Sequence, residues 1–282
     1  MNVQIVEAEL QLQAPLHTSH GSIESRRLIE VHVTEGEHEG IGEAAPLPGF
    51  GLETYEEALA ELRRWGSGIP AHGSPTGKAA AGAANTALAQ LRAAQTGASL
   101  ATFLKTATVS RTPLAVQALI GALEPDACAS QAAAFVAAGH LGIKLKVGVT
   151  DATTDVRRVR SVRAAAPGVV LRLDANCGWT PNQATEVLNS LADEDIDFVE
   201  EPTSNPAEFA EISVATGCAI AIDEHAVSVE AMRELIQSGD IAAVILKPAV
   251  LSGVQATYDM GLVAQSLGCR TIVSSFIDGA AS

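Results

Sequence analysis

The chain has 282 residues, 47% hydrophobic and 18% charged, enough apolar material for a large core and too much for a disordered chain. Its 33 acidic and 18 basic residues leave a formal charge of −15, with no basic stripe, which excludes nucleic acid as a partner. No uncharged apolar run of about 18 residues and no secretory leader pattern stands in the sequence, so no membrane partner is expected and the expected location is the cytoplasm.

Residues 1–50 read as an antiparallel β element. Val3, Ile5, Leu10 and Leu12 alternate in part, residues 28–33 form a clearer strand, and a turn over 36–40 precedes Ile41. Residues 17–22 between the first strands are polar and carry Gly21, which predicts a loop. A second loop, 45–51, holds Pro46, Pro48, Gly49, Phe50 and Gly51 and reads as either a connector or a substrate-covering lid. Thr54 is placed to cap a helix over 55–65 with Ala58, Leu59, Leu62 and Trp65 on one face. Residues 79–94 predict an alanine-rich helix able to pack closely, ended near Gly97, and a short turn at 100–104 leads to a domain boundary near residue 112.

Strand and helix patterns then alternate. Strands are expected at 114–120, 142–147, 169–174, 196–201, 219–223, 241–247 and 269–275, with six helices between them. The strands are nearly continuous apolar runs, as in a parallel sheet covered by helices. The reading is α/β: an α+β capping domain over 1–111, then a modified TIM-type (β/α) barrel over 112–282 without its last helix and strand. Its first and seventh strands would keep open edges.

Chemistry collects at the strand ends. Asp174, Glu200, Asp223 and Lys247 are separated by 26, 23 and 24 residues, about one βα unit each. Three carboxylates converging there suit a hard cation bound through oxygen, Mg²⁺ with Mn²⁺ able to substitute, and leave room for the carboxylate of a small-molecule substrate. Lys144 and Lys146, two apart on one strand, point to the same face. Two ammonium groups confined together repel each other and lose solvation, effects that lower an ammonium pKa toward the range of a general base. Such a set suits proton abstraction α to a carboxylate, with lysines on opposite walls able to reach opposite faces of the carbon. Cys128, Cys177, Cys218 and Cys269 form no C-x-x-C pair and read as reduced thiols. The seven histidines form no close pair and read as surface or packing residues.

In this order, Lys144-x-Lys146, Asp174-Ala175-Asn176, Glu200-Glu201-Pro202, Asp223-Glu224 and Lys247-Pro248 resemble the enolase superfamily, muconate-lactonising subgroup. A lysine base beside a Mg²⁺-stabilised intermediate is that superfamily's known pattern. The stretch Gly42-Glu43-Ala44-Ala45-Pro46-Leu47-Pro48-Gly49-Phe50, with Glu53-Thr54, Trp179-Thr180-Pro181 and Ser274-Ser275, is similar within it to the o-succinylbenzoate synthase family. The resemblance implies a dehydratase in menaquinone biosynthesis. Lys146 would take the α-proton and then help hydroxide leave. Lys144 would hold the carboxylate, and Lys247 would face the ring from across the substrate. It further implies Asp174, Glu200 and Asp223 as metal ligands, with Asn176, Glu201 and Glu224 orienting them, and Phe50 and Ser274 touching substrate. N-succinylamino acid racemase, dipeptide epimerase and cycloisomerase activities use the same groups and stay open. So does a non-enzymatic reading as a truncated, inactive member, motivated by the sequence stopping at Ser282.

Overall fold

Partial alternation near the N-terminus becomes three long strands, β1 (Asn2–Thr18), β2 (Gly21–Glu35) and β3 (His38–Ala44), paired antiparallel in the order β1-β2-β3. The computed structural model describes residues 1–18, 21–47, 52–68, 74–104, 114–239 and 241–279. Ile5 pairs with Val31 and the ladder runs on to Thr18 opposite Gly21, so much of the expected polar loop continues the pairing. Between β2 and β3 only Gly36 and Glu37 remain unpaired. Gly36 has φ +62°, the left-handed conformation a two-residue hairpin requires. The turn is therefore tighter than expected, and β3 starts at His38.

Helix α1 (Tyr55–Ser67) begins in a capping box. The Thr54 side chain accepts the Glu57 N–H, and the Glu57 carboxylate accepts the Thr54 N–H at 2.8 Å. Its buried face is Tyr55, Ala58, Leu62 and Trp65, one helical stripe against the sheet. In α2 (Lys78–Gln95) the alanines let the helix backbone lie on β3. A Cβ added to Gly42 would stand 2.0 Å from the Ala83 carbonyl oxygen, and one on Gly40 2.0 Å from that of Ala87. Glycine on the strand and alanine on the helix are two halves of one close approach. A short α3 (Leu100–Leu104) follows. The boundary expected at 111–112 lies outside the described residues.

The remainder alternates as the sequence predicts: β4 (Gln117–Ile120), α4 (Pro125–Ala137), β5 (Gly142–Lys146), α5 (Ala152–Ala165), β6 (Val170–Asp174), α6 (Pro181–Ser190), β7 (Ile196–Glu200), α7 (Phe209–Thr216) after a 3₁₀ turn, β8 (Ile220–Ile222), α8 (Val229–Ser238), β9 (Ile241–Leu246), α9 (Val254–Ser266) and β10 (Arg270–Val273). The seven strands are parallel and lie side by side in sequence order from β4 to β10. Outward residues such as Leu171, Leu173, Val199, Ile220 and Val244 join the helices in the main core. On the inner face Phe198, Ala221, Ala243 and Ile245 form a smaller apolar floor. The fold is a curled, modified (β/α) barrel sheet with an N-terminal α+β capping domain. Strands β4 and β10 are the two edges. Leu114 and Val116, expected in the first strand, lie before β4 and are 90% and 70% exposed. No helix among the described residues is long and apolar enough to cross a membrane.

Candidate functional site

The inner face of the sheet gathers the charged residues into one row. Lys146, Asp174 and Glu200 are register partners on β5, β6 and β7, whose axes lie about 4.8 Å apart. Asp223 and Lys247 stand one residue past β8 and β9. Lys144, two residues before Lys146, shares its face. The row rests on the apolar floor below it, so Asp174 and Glu200 are 0% exposed and Asp223 and the three lysines only 8–9%.

Burial on this scale forces pairing. Lys144 Nζ lies 2.7 Å from both Asp174 Oδ2 and Glu200 Oε1. Lys146 Nζ donates to Asp174 Oδ2 at 2.6 Å and to Asn176 Oδ1 at 2.5 Å. Lys247 donates to Asp223 Oδ2. Burial alone would lower Lys144, but Asp174, Glu200 and Asp223 outweigh it and hold this ammonium above its ordinary pKa. Lys247 is likewise raised: burial lowers it, and the charge of Asp223 more than compensates. The expectation of a lowered ammonium pKa is thus overturned for Lys144, because two carboxylates stand within 2.7 Å of its Nζ. Asp174 is held below the usual carboxylate range, since Lys144 and Lys146 overcome its burial. Burial raises Glu200 well above that range, with Asp174 adding to it.

Around the row lie Asn176, Glu201 and Glu224, the three residues expected to orient the ligands. Glu201 Oε1 accepts the backbone N–H of Asp223 at 2.6 Å and of His225 at 3.0 Å. Asn176 donates to Glu224 at 2.8 Å while accepting from Lys146. Burial, then the charges of Asp223 and Asp174, push Glu224 up to about 7. Asn176 and Glu201 both have φ of 43°, a conformation that non-glycine residues adopt at a cost and often at functional sites.

The donor set fits a divalent cation. Asp174, Glu200 and Asp223 are three buried carboxylates in contact with the three lysines, and Glu201 and Glu224 add two more carboxylates beside them. Glu200 Oε2 and Glu224 Oε2 are buried without a hydrogen-bond partner, which is costly unless a cation meets them. Oxygen-only donors suit Mg²⁺.

Lys144, Lys146, Asn176, Lys247, Ser274 and Phe276 face a cavity of about 480 Å³, large enough for a small organic acid. Ser274, expected at the substrate, stands in this wall just after β10. Phe50 lies outside the described residues. Leu47, from the same loop, packs on Ala249 and Phe276.

Several contributors were not anticipated. Phe276 turns its ring to Lys247, with Nζ 5.4 Å from the centroid. Arg26, 4% exposed, donates to the carbonyls of Ala45, Pro46 and Ile277, tying the cap to the segment after β10. Asp155, fully buried on α5, accepts from Gly148 N–H and Trp179 Nε1, both at 2.9 Å, and pairs with Arg158. It links the loops that follow the lysine and Asp174 strands. Cys177 and His225, read as a free thiol and a packing residue, meet at Glu201. Their spacing repeats the βα unit, a signal available in the sequence.

Residues 127–282 match the family model of the enolase C-terminal domain-like proteins, and residues 2–92 match that of the MenC N-terminal domain. The chain is 30% identical to an o-succinylbenzoate synthase from Yersinia enterocolitica, covering 95% of this chain and 80% of that one. It is 29% identical to the o-succinylbenzoate synthase of Citrobacter koseri, covering 98% and 82%. A dipeptide epimerase from Enterococcus faecalis, crystallised with Mg and the dipeptide L-Leu-L-Tyr, superposes with a TM-score of 0.90 at 23% identity, covering 98% and 82%. With both models matched and the strand-end carboxylates and lysines gathered on one face, the chain belongs to the enolase superfamily.

Proposed function

We propose that the chain is a dehydratase of the o-succinylbenzoate synthase type. Its substrate would be 2-succinyl-6-hydroxy-2,4-cyclohexadiene-1-carboxylate, and its place menaquinone biosynthesis. The observation that carries the reading is the row itself: Lys146 and Lys247 face one cavity from opposite sides of three buried carboxylates. Near-full-length likeness to o-succinylbenzoate synthases supports this reaction among those the row could serve.

Asp174, Glu200 and Asp223 would hold Mg²⁺, with Mn²⁺ able to replace it. When bound, the ion would supply positive charge to the substrate carboxylate as the α-carbon loses its proton. Lys146, as the free amine, takes that proton, and the C–H electron pair enters the ring. The C–OH bond then breaks on the same face, and the Lys146 ammonium returns the proton to the departing hydroxide as water. Carbon, oxygen and charge balance, and the ring becomes aromatic. Lys144 holds the substrate carboxylate beside Asp174 and Glu200. Lys247, paired with Asp223 and backed by Phe276, offers a fixed cation to the ring's developing charge. Asn176, Glu201 and Glu224 keep the ligands in position, while Ser274 contacts the substrate from the cavity wall. Four free thiols fit a reducing, cytoplasmic location.

The second reading is a racemase or epimerase of N-succinylamino acids or dipeptides. It is favoured by the placement of Lys146 and Lys247 on opposite walls and by the fold shared with the dipeptide epimerase. One assay separates them: aromatic product is followed by absorbance, and α-proton exchange in D₂O by NMR, with EDTA controls. Aromatic product that EDTA abolishes and that Lys146→Ala lowers by about 10²–10⁴-fold or more is expected. Two-faced exchange on a dipeptide without aromatic product would replace the dehydratase with the epimerase. Full activity in Lys146→Ala would remove both readings.

A further inference from the structure

Behind the oxygen-rich row, a second cluster of quite different chemistry converges. Cys177, Glu201 and His225 follow one another at 24-residue spacing, so each comes from the loop after the next strand, β6, β7 and β8. A thiol sulfur, a carboxylate oxygen and an imidazole nitrogen from these three lie within 4.8 Å of one another. Glu201 Oε2 is 3.8 Å from Cys177 Sγ and 2.5 Å from His225 Nδ1. A tetrahedral Zn²⁺, with Zn–S near 2.3 Å and Zn–N and Zn–O near 2.0–2.1 Å, sets its ligand atoms about 3.4–3.6 Å apart. The two Glu201 distances bracket that value and the thiol and imidazole stand within 4.8 Å of each other, so shifts on the order of 1 Å would seat an ion.

The support around the three is already in place. The Cys177 N–H donates to the Glu201 carbonyl at 2.8 Å, and Glu201 Oε1 is fixed by the backbone N–H groups of Asp223 and His225. The other imidazole nitrogen, His225 Nε2, lies 3.2 Å from the Ser204 carbonyl. A proton held there fixes the tautomer that presents the Nδ1 lone pair inward, the usual outer partner of a metal-binding histidine. The Phe209 ring packs edge-on against the imidazole at 5.9 Å. None of the three residues faces the 480 Å³ cavity, while the His225 side chain is 25% exposed and provides a separate way in.

We propose that Cys177, Glu201 and His225 form a second cation site, distinct from the three-carboxylate row, that takes a thiophilic divalent ion of the Zn²⁺ class. Sulfur and nitrogen donors select Zn²⁺, Co²⁺ or Cd²⁺ over Mg²⁺, which prefers oxygen alone. Three protein ligands leave the fourth tetrahedral position to water. The ion replaces two protons, one on Cys177 Sγ and one between His225 Nδ1 and Glu201 Oε2, and both pass to solvent. The two sites meet at Glu201, whose other oxygen holds the Asp223 backbone.

The test is a Co²⁺ titration of the reduced, full-length chain in excess Mg²⁺, followed by near-ultraviolet and visible absorption. About one equivalent is expected to produce a thiolate-to-Co²⁺ charge-transfer band with tetrahedral visible bands. Cys177→Ser should abolish the charge-transfer band, and His225→Ala should weaken Co²⁺ and Zn²⁺ on the order of 100-fold. Cys218→Ser should keep the band, and so should Asp223→Asn, which separates this site from the carboxylate row. No thiolate band in the wild-type chain overturns the proposal without reference to any variant. A band that survives Cys177→Ser, or that vanishes with Cys218→Ser, overturns it as well.

Discussion

The barrel and the cap handle charge in opposite ways. In the barrel, three lysines and their carboxylate partners sit 0–9% exposed above an apolar floor. In the cap, Arg63 meets Glu7 at 2.6 Å with side chains 61% and 41% exposed, and the core beneath is built of β-branched strand residues, aromatic rings, leucines and the alanines of α2 packed on strand glycines. Buried ion pairs are weak stabilisers, because desolvation cancels much of their attraction, whereas exposed pairs cost little and contribute little. The barrel thus gathers its buried charge into one row, while the cap, apart from the buried Arg26 and Glu43, is held by an uncharged packed cluster.

Removing a charge should therefore cost most in the barrel. Asp174→Ala strips a partner from Lys144 and Lys146 at once, and an expected loss of about 3–5 kcal/mol should appear in urea denaturation. The cap should be most sensitive to volume. Gly42→Ala drives a Cβ into the Ala83 carbonyl, and a loss near 3 kcal/mol is expected by the same measurement, because backbone cannot step aside as a side chain can. If Gly42→Ala melted like the wild type, the close contact between α2 and β3 would be wrong. Thr54→Ala removes the capping box of α1 and should cost about 1 kcal/mol. The smallest effect belongs to Arg63→Ala, for which no resolvable shift in Tm is expected; a large shift would erase the contrast between the two regions.

Legibility followed the same division. Lys144, Lys146, Asp174, Glu200, Asp223 and Lys247 could be placed from sequence because each strand of a parallel sheet ends on the same side and side chains alternate along it. The spacing of Cys177, Glu201 and His225 carries the same signal, but it spreads the three over successive βα loops, where no close ligand pair announces them. Arg26 and Asp155 were illegible for another reason. Arg26 donates to Ile277, 251 residues away, and Asp155 accepts from the loops after two strands, so neither has a sequence motif that announces its role. The protonation of Lys144 was misjudged because the sequence shows the neighbouring lysine at once, while Asp174 and Glu200 come near it only through strand register.

By itself the sequence determined the βα alternation, the strand-end placement of the reactive residues and the alanine helix made for close packing. These depend on periodicity and on side-chain size, which are local. Tertiary structure alone decided which charges neutralise which, how the cap is tied down through Arg26, and that a thiol, an imidazole and a carboxylate meet at Glu201. Those outcomes depend on distances of a few ångströms between segments far apart in the chain, and in a dry interior such distances control both protonation and the choice of metal.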